Sequence, residues 1–357
     1  KLEEDIKSFI LKWLDVDEEH LQYCIWSIKQ SWIYDRLNTV NYLRALGDTG
    51  LGKSRYLDTL GHLYYKSIKT GGATTSAPIF RIIEKWKGSL LIDEMDLKNS
   101  DESAELIKII NLGFEKNNPI MRCEKDNPSK INFFDPYCPK ILATRKSFED
   151  IAVESRCFTT IMRGTNKKSI PVNLDEDFFE ESLHIRNKLL LWRFKNYNLI
   201  DTRKIKETDL GELEPRIRQA HMGFLPLFST DLEKVAKFQK YLQEYQKDLI
   251  QERKDSFEGL IVFTLFELLR KGKRDISPKD IIDAGNFTNP RNNSKPYSTV
   301  SLAKHLKELG LNKRETRCIN GESKNCIILQ KEQIEKLSIR YGETLSKEIQ
   351  KELEDYK

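Results

Sequence analysis

Long hydrophobic runs are what this 357-residue chain most plainly lacks. No stretch approaches the ~18–20 consecutive apolar residues that span a bilayer. The most apolar segment, Gly259 to Leu269, is short and carries Glu267. No secretory leader pattern opens the chain. It begins at Lys1 rather than Met, so the expectation is a piece of a longer protein. Cysteine is sparse and scattered: Cys24, Cys123, Cys138, Cys157, Cys318 and Cys326 form no CxxC pair. The histidines do not stand at ligand spacing beside them, which argues against a zinc site. Six cysteines in a chain of this length cannot staple a disulfide scaffold. Reduced, mostly packed thiols in the cytoplasm are expected, with a Cys318–Cys326 pairing across a hairpin as the alternative. A strong charge imbalance is also missing. The 60 Lys and Arg against 55 Asp and Glu leave a net charge of +5. That is too mild to imply a polyanion partner, so any nucleic-acid reading must rest on local charge. There is no internal repeat and no low-complexity tract.

What is present is an ordinary globular composition, 39% hydrophobic and 32% charged, with length for two or three domains. Leu2, Ile6, Phe9, Ile10 and Trp13 recur at helical spacing, and a second helix is predicted from about Asp17 to Asp35. The texture then changes. Tyr42–Leu46 reads as a buried strand, followed by a Gly-rich turn and a helix from about Lys53 to Lys69. Ser89–Ile92 is a strand ending in acids, followed by a helix from about Asp101 to Lys116. Pro119–Tyr137 reads as strand, Asn-Pro turn, strand; Lys140–Ala143 and Cys157–Met162 are further strands. Strands alternating with helices predict a three-layer α/β domain with a largely parallel sheet. From about Leu174 to Lys254 the pattern is wholly helical, and a small separate unit follows from about Phe257.

Gly47-Asp48-Thr49-Gly50-Leu51-Gly52-Lys53-Ser54 matches G-x-x-x-x-G-K-[ST] in full, after a strand and at the start of a helix. In that context backbone N–H groups turn inward around phosphate oxygens, and the helix N-terminus adds partial positive charge. Lys53 would reach the β- and γ-phosphates of ATP, Ser54 would ligate Mg²⁺, and Arg55 would follow at the nucleotide site. Forty residues on, the strand Leu90-Leu91-Ile92 ends in Asp93-Glu94. Asp93 would hold Mg²⁺ through water and Glu94 would polarise the attacking water, so hydrolysis is expected rather than binding alone.

These residues resemble the AAA+ ATPases, more narrowly the helicase-type ATPases of plasmids, phages and archaeal mobile elements, which are sometimes fused behind a primase-polymerase. The resemblance runs through Thr39–Arg55, Ala73–Arg81, Ser89–Asp96, Pro139–Cys157 and Leu213–Leu227. It implies a P-loop AAA+ core at 38–172 preceded by a helical segment at 1–37, then a helical lid at 173–255. A winged helix at 256–330 and a C-terminal helix at 331–357 complete the expected organisation. It also implies Thr144 at the first sensor position, where many relatives carry Asn, and Arg156 as an arginine finger acting on the neighbouring subunit. Arg216 or Arg218 would be the second sensor on the γ-phosphate, with Arg216 preferred. A finger in trans implies a ring, expected to be a hexamer. The hairpin before the sensor strand would line the pore, with Lys125 and Lys130 tracking DNA phosphates.

The C-terminal unit reads as three helices and a β-hairpin, a winged helix. Ser277-Pro278-Lys279-Asp280 carries a cap, a first-position proline and a third-position acid; Ser298 starts the third helix. Between Arg270 and Arg317 there are twelve Lys and Arg against five Asp and Glu, an excess of seven. Lys295, Lys304 and Lys307 on or before the third helix, with Arg314 and Arg317 on the wing, are the expected DNA contacts. Together these expectations describe an ATP-driven DNA helicase of a mobile element. An ATP-switched initiator or helicase loader, and more remotely a protein remodeller, are the rivals.

Overall fold

The computed structural model describes residues 1–71, 76–93, 101–124, 127, 129–148, 150–165, 167–200, 202, 210–228, 231–289, 292–319 and 321–344. The side chains of 76, 101–103, 151, 216, 292–294, 319 and 322 also lie outside the description. Two units are distinguished, Lys1–Lys240 and Tyr241–Lys357.

The first unit opens with α1 (Leu2–Trp13) and α2 (Glu18–Ser31). α1 buries Ile6, Phe9, Ile10 and Trp13, the stripe that its spacing predicts. Asp17 caps α2, its carboxylate accepting the His20 N–H at 2.6 Å. There follow β1 (Tyr42–Leu46), α3 (Lys53–Gly61), β2 (Ser67–Gly71), α4 (Ser76–Trp86), β3 (Ser89–Asp93) and α5 (Asp101–Leu112). Next come a hairpin of β4 (Ile120–Cys123) and β5 (Ile131–Phe134), then β6 (Lys140–Thr144), the single-turn α6 (Ile151–Glu154) and β7 (Cys157–Ile161). Five strands form one parallel sheet in the order β2-β3-β6-β1-β7. The central strands are mostly apolar because helices flank the sheet and bury both strand faces, with Arg44, Lys140 and Thr144 as buried polar exceptions. Leu46 pairs with Thr144 and Ile92 with Leu142, so β1, β6 and β3 end along one edge. This is a mixed α/β, P-loop-like core.

The helix expected to run to Lys69 stops at Gly61, and Ser67–Gly71 is an edge strand instead. Gly61 lies so close to β3 that a Cβ there would come 2.2 Å from Leu91 Cδ2. The chain then turns over Leu63 and Tyr64, both buried, and Lys66 takes φ +46°. Those buried turn residues prolong the apolar spacing of α3 and mimic a longer helix. Similarly, α4 lay in a segment for which no helix was predicted.

α7 (Glu176–Asn196) follows, capped by Asp175. Its Phe178 sits against Phe9 and Trp13 of α1, with ring centroids 5.2 Å apart in both cases. α8 (Pro215–His221) and α9 (Leu232–Asp255) complete the helical stretch.

The second unit contains α10 (Phe257–Arg270), α11 (Pro278–Ala284), β8 (Thr288–Asn289), β9 (Asn292–Pro296), α12 (Thr299–Glu308), β10 (Arg314–Ile319), β11 (Glu322–Ile327) and α13 (Lys331–Tyr341). Ser277 and Asp280 form the predicted reciprocal capping box, and Ser298 caps α12. Ile261, Leu265, Ile281, Leu302, Leu306 and Ile327 share one core. The β8–β9 hairpin was not anticipated, since its Asn- and Pro-rich sequence reads as loop. Residues 345–357 of the expected last helix lie outside the described residues. Cys318 faces Ser323, and Cys326 faces Glu315, so the strand register separates the two thiols and they are not bonded. Cys24, Cys138, Cys157 and Cys326 are buried and free, whereas Cys123 and Cys318 are exposed. Among the described residues no helix is long and apolar enough to cross a membrane.

Candidate functional site

β1 delivers the chain to Gly47, whose N–H donates to the Thr144 carbonyl at 3.1 Å and ties the loop to the end of β6. The loop closes on Gly52, the N-cap of α3, at φ +91° and after Gly50 at φ +83°. Glycine adopts that left-handed backbone without the Cβ penalty other residues incur. Asp48, Thr49 and Gly50 are exposed, and Leu51 is half-buried. Lys53 is only 7% exposed, and its Nζ donates to the Gly47 and Asp48 carbonyls at 2.7 Å each. The ammonium is thus held over the loop by the loop's own backbone, where a phosphate oxygen would displace it from those carbonyls. Ser54 presents an exposed hydroxyl on the first turn of α3. Arg55 turns to the Val172 carbonyl.

Asp93 ends β3. Its Oδ2 is 3.2 Å from Lys69 Nζ, while its buried Oδ1 has no hydrogen-bond partner among the described residues. Thr144 ends β6, between β1 and β3, and is 1% exposed. Its Oγ1 is likewise buried without a hydrogen-bond partner among the described residues. Buried polar atoms are nearly always paired, so two orphans on adjacent strand ends beside a phosphate-type loop mark a place built for a polar ligand. Ser54, Asp93 and Thr144 therefore fit a hydrated divalent cation with its phosphates. Glu94 lies outside the described residues.

Arg156 stands at the opposite end of the sheet. Its carbonyl accepts from the Tyr42 N–H at 3.2 Å, so it precedes β7 at the start of β1, about 15 Å of strand from the loop. Its guanidinium donates to Asn111 Oδ1 and to the Ala152 carbonyl and lies over the Phe114 ring, 5.1 Å from its centroid. Glu154, two residues earlier, is taken by the buried Arg44 through a two-pronged ion pair. Asp150 caps the turn leading to Arg156, accepting from Ala152 N–H at 2.7 Å. Burial raises the Asp150 pKa, but hydrogen bonds from Asn111 and from backbone N–H groups, with Arg156 nearby, leave it lowered.

Arg218 is exposed on α8 and donates to the Gly211 carbonyl at 2.8 Å. The Arg216 side chain and Lys125 lie outside the described residues. Lys130 is exposed and pairs with Glu124 at 2.8 Å. In the second unit Lys295, Lys304 and Lys307 are exposed. Lys307 and Arg314 line one cavity of about 880 Å³, joined by Lys279 and Lys324, which the sequence had not singled out. Arg314 is turned partly inward, donating to the Lys313 carbonyl at 3.1 Å, and burial lowers its pKa. Arg317 is held by Asp275 at 2.6 Å and by Glu315 at 2.9 Å.

Two further features escaped the sequence. Lys69 bridges Asp58 and Asp93, and it was hidden because its strand was expected to be helix. A cavity of about 510 Å³ is lined by Asp15, Asp17, Thr160, Met162 and Gly164 among others. Met162 also packs against Gly47 and Gly52, so this cavity adjoins the loop. No local motif marks it, because its walls come from the α1–α2 connection and the end of β7.

No family model and no curated protein matches the chain. Among solved structures, two apo A-form structures of the NrS-1 C-terminal region are similar, both at 13% identity over 91% of this chain. They are covered over 74% and 75% of their own length, with TM-scores of 0.42 and 0.40. SCCmec type IV Cch, described as an active helicase, is similar at 8% identity over 94% of this chain and 71% of its own, with a TM-score of 0.40. Likenesses this distant carry no weight for activity, which has to be argued from the residues themselves.

Proposed function

We propose that the chain is an ATP-hydrolysing DNA motor of the AAA+ class, a helicase or translocase that works as a ring, most simply a hexamer. One observation carries the reading: a complete G-x-x-x-x-G-K-S loop with Lys53 over it, tied to the end of β6, where Thr144 and the adjacent Asp93 of β3 each carry a buried oxygen with no hydrogen-bond partner among the described residues. Lys53 and the loop N–H groups bind and orient the phosphates. Thr144 Oγ1 donates to the water or to the terminal phosphate. Glu94 accepts the proton of the attacking water. Ser54, and Asp93 through water, would hold Mg²⁺, which would supply charge neutralisation on the phosphates. The cavity beside Met162 has the size of a nucleoside site and continues from the loop, so the base and ribose belong there.

Arg156 cannot reach its own loop from the far end of the sheet, so in this reading it acts on a neighbouring subunit as a finger. Arg216 or Arg218 would complete the site from the lid. The hairpin with Lys125 and Lys130 follows single-stranded DNA. The second unit is read as a winged helix that brings Lys295, Lys304, Lys307, Arg314 and Arg317 to duplex DNA, with Lys279 and Lys324 added. A primase-polymerase domain is the expected companion. The test is ATP turnover with and without single-stranded DNA, alongside unwinding of a forked duplex and mass in the presence of a non-hydrolysable ATP analogue. Stimulated turnover with unwinding supports the motor. Slow, DNA-indifferent turnover with ATP-dependent binding to one duplex sequence replaces it with an initiator.

A further inference from the structure

α7 carries two apolar faces. Phe178, Ser182, Ile185 and Leu189 are buried, and the other face is left in water. Phe179 is 49% exposed, Leu183 51%, Leu190 39%, Leu191 53% and Phe194 70%, and Leu199 just beyond the helix is 74% exposed. At about 100° per residue, Phe179, Leu183, Leu190 and Phe194 fall within about 60° of arc, one continuous stripe. The stripe together with the flanking Leu191 and Leu199 exposes roughly 600 Å² of apolar surface, three quarters of the ~800 Å² that each partner gives up in a standard interface. Isolated exposed leucines need no explanation; a stripe of this size does.

The stripe also has a symmetry. The order Phe179, Leu183, Leu190, Phe194 reads the same in both directions about the midpoint between Arg186 and Asn187. The charges are polarised along the same axis. Asp175, Glu176, Asp177, Glu180 and Glu181 occupy the first half, Arg186 stands at the midpoint, and Lys188, Arg193 and Lys195 occupy the second. Glu181, Lys188 and Arg193 are turned inward to Lys12, Asp5 and Asp35. Glu176, Asp177 and Glu180 remain exposed at one end and Lys195 at the other.

We propose that this face of α7 binds a second copy of the same chain, the two helices antiparallel about a two-fold axis. In that arrangement Phe179 meets the partner's Phe194 and Leu183 meets the partner's Leu190. The exposed acids at one end come level with the partner's Lys195, whereas a parallel pairing would set like charges side by side. Only a two-fold contact uses the same patch on both copies, which is what a palindromic stripe fits. Such a contact does not itself close a head-to-tail ring; it joins chains, or rings, in pairs. It does not depend on nucleotide.

The test measures the mass of the full chain by sedimentation without nucleotide, at concentrations up to about 100 µM. A dimer is expected, and Leu183→Glu should raise its dissociation constant about 100-fold or more, since each substitution is met twice at the axis. Leu183 is exposed, so circular dichroism and melting should be unchanged. In a background with Cys123→Ser and Cys318→Ser, Asn187→Cys should cross-link to itself on oxidation, and Leu183→Cys should cross-link to Leu190→Cys on mixing. A wild-type monomer across the whole range overturns the proposal. So does a dimer that is unmoved by Leu183→Glu, or one that forms without either cross-link.

Discussion

The orphaned hydroxyl of Thr144 permits a prediction in which stability and activity move in opposite directions. Thr144→Val keeps the shape and the β-branch, which suits a central strand, and removes only Oγ1. Thr144 is 1% exposed, and its Oγ1 has no hydrogen-bond partner among the described residues. A buried hydroxyl left unpaired costs about 1–3 kcal/mol, so its replacement by a methyl group should stabilise the nucleotide-free protein by about 1 kcal/mol. For a unit of this size that corresponds to about 2–4 °C in Tm. If Oγ1 is kept to meet the terminal phosphate or its water, the same change should lower kcat by about 10–100-fold, a loss of about 1–3 kcal/mol from the transition state. Thr144→Ser, which retains the hydroxyl, should restore most of the turnover. The assays are differential scanning fluorimetry without nucleotide and steady-state phosphate release. A Thr144→Val protein that melts lower than wild type would refute the reasoning, because the hydroxyl would then be serving the fold. Higher stability with unchanged turnover would remove Thr144 from the site.

Arg156→Ala should abolish turnover alone yet regain part of it when mixed with Lys53→Ala, because a mixed interface joins an intact loop to an intact finger; no recovery in demonstrably mixed rings would return Arg156 to its contacts with Asn111 and Ala152. Glu154→Gln should destabilise the first unit by about 3 kcal/mol in chemical denaturation, since it leaves Arg44, 1% exposed, buried without its counter-charge. His20 is buried against the Tyr56 hydroxyl at 2.6 Å, and burial depresses its pKa from 6.5 to about 4. The folded state therefore resists protonation, and stability present above pH 6.5 should decline as pH falls towards 4, by on the order of 3 kcal/mol. Denaturation curves for wild type and His20→Gln should show that slope removed in the variant. Lys307→Ala should weaken duplex binding at every sequence and lower the salt slope by about one, read by fluorescence anisotropy.

Legibility in the sequence tracked how local each signal is. The Gly-rich loop opening α3, the cap of α12 and the Ser277–Asp280 capping box were readable because each is a run of adjacent residues whose backbone demands name the residue type. The buried strands β1, β3 and β6 were readable because burial on both faces leaves short, mostly apolar runs, broken inside β1 by the buried Arg44. β2 was not readable. It lies at the sheet edge, and the turn before it buries Leu63 and Tyr64 against the same core as α3. The left-handed residue that breaks the pattern is Lys66, which carries none of the glycine or asparagine signal expected there. The error had a cost at the site, since Lys69, the partner of Asp93, lay in that segment.

The same distinction separates what could be known of Arg156 from what could not. A sequence places an arginine before a strand; only the parallel register of β7 on β1 shows that this strand starts at the end remote from the loop. Proximity in sequence to other site residues therefore gave no measure of proximity in space. A phosphate site assembled on one edge of a parallel sheet can draw on strand ends at that edge alone. Any charge contributed from the other edge has to serve a second molecule or serve the fold, and Arg156, held between Asn111 and Phe114, is positioned so that mixing experiments discriminate the two.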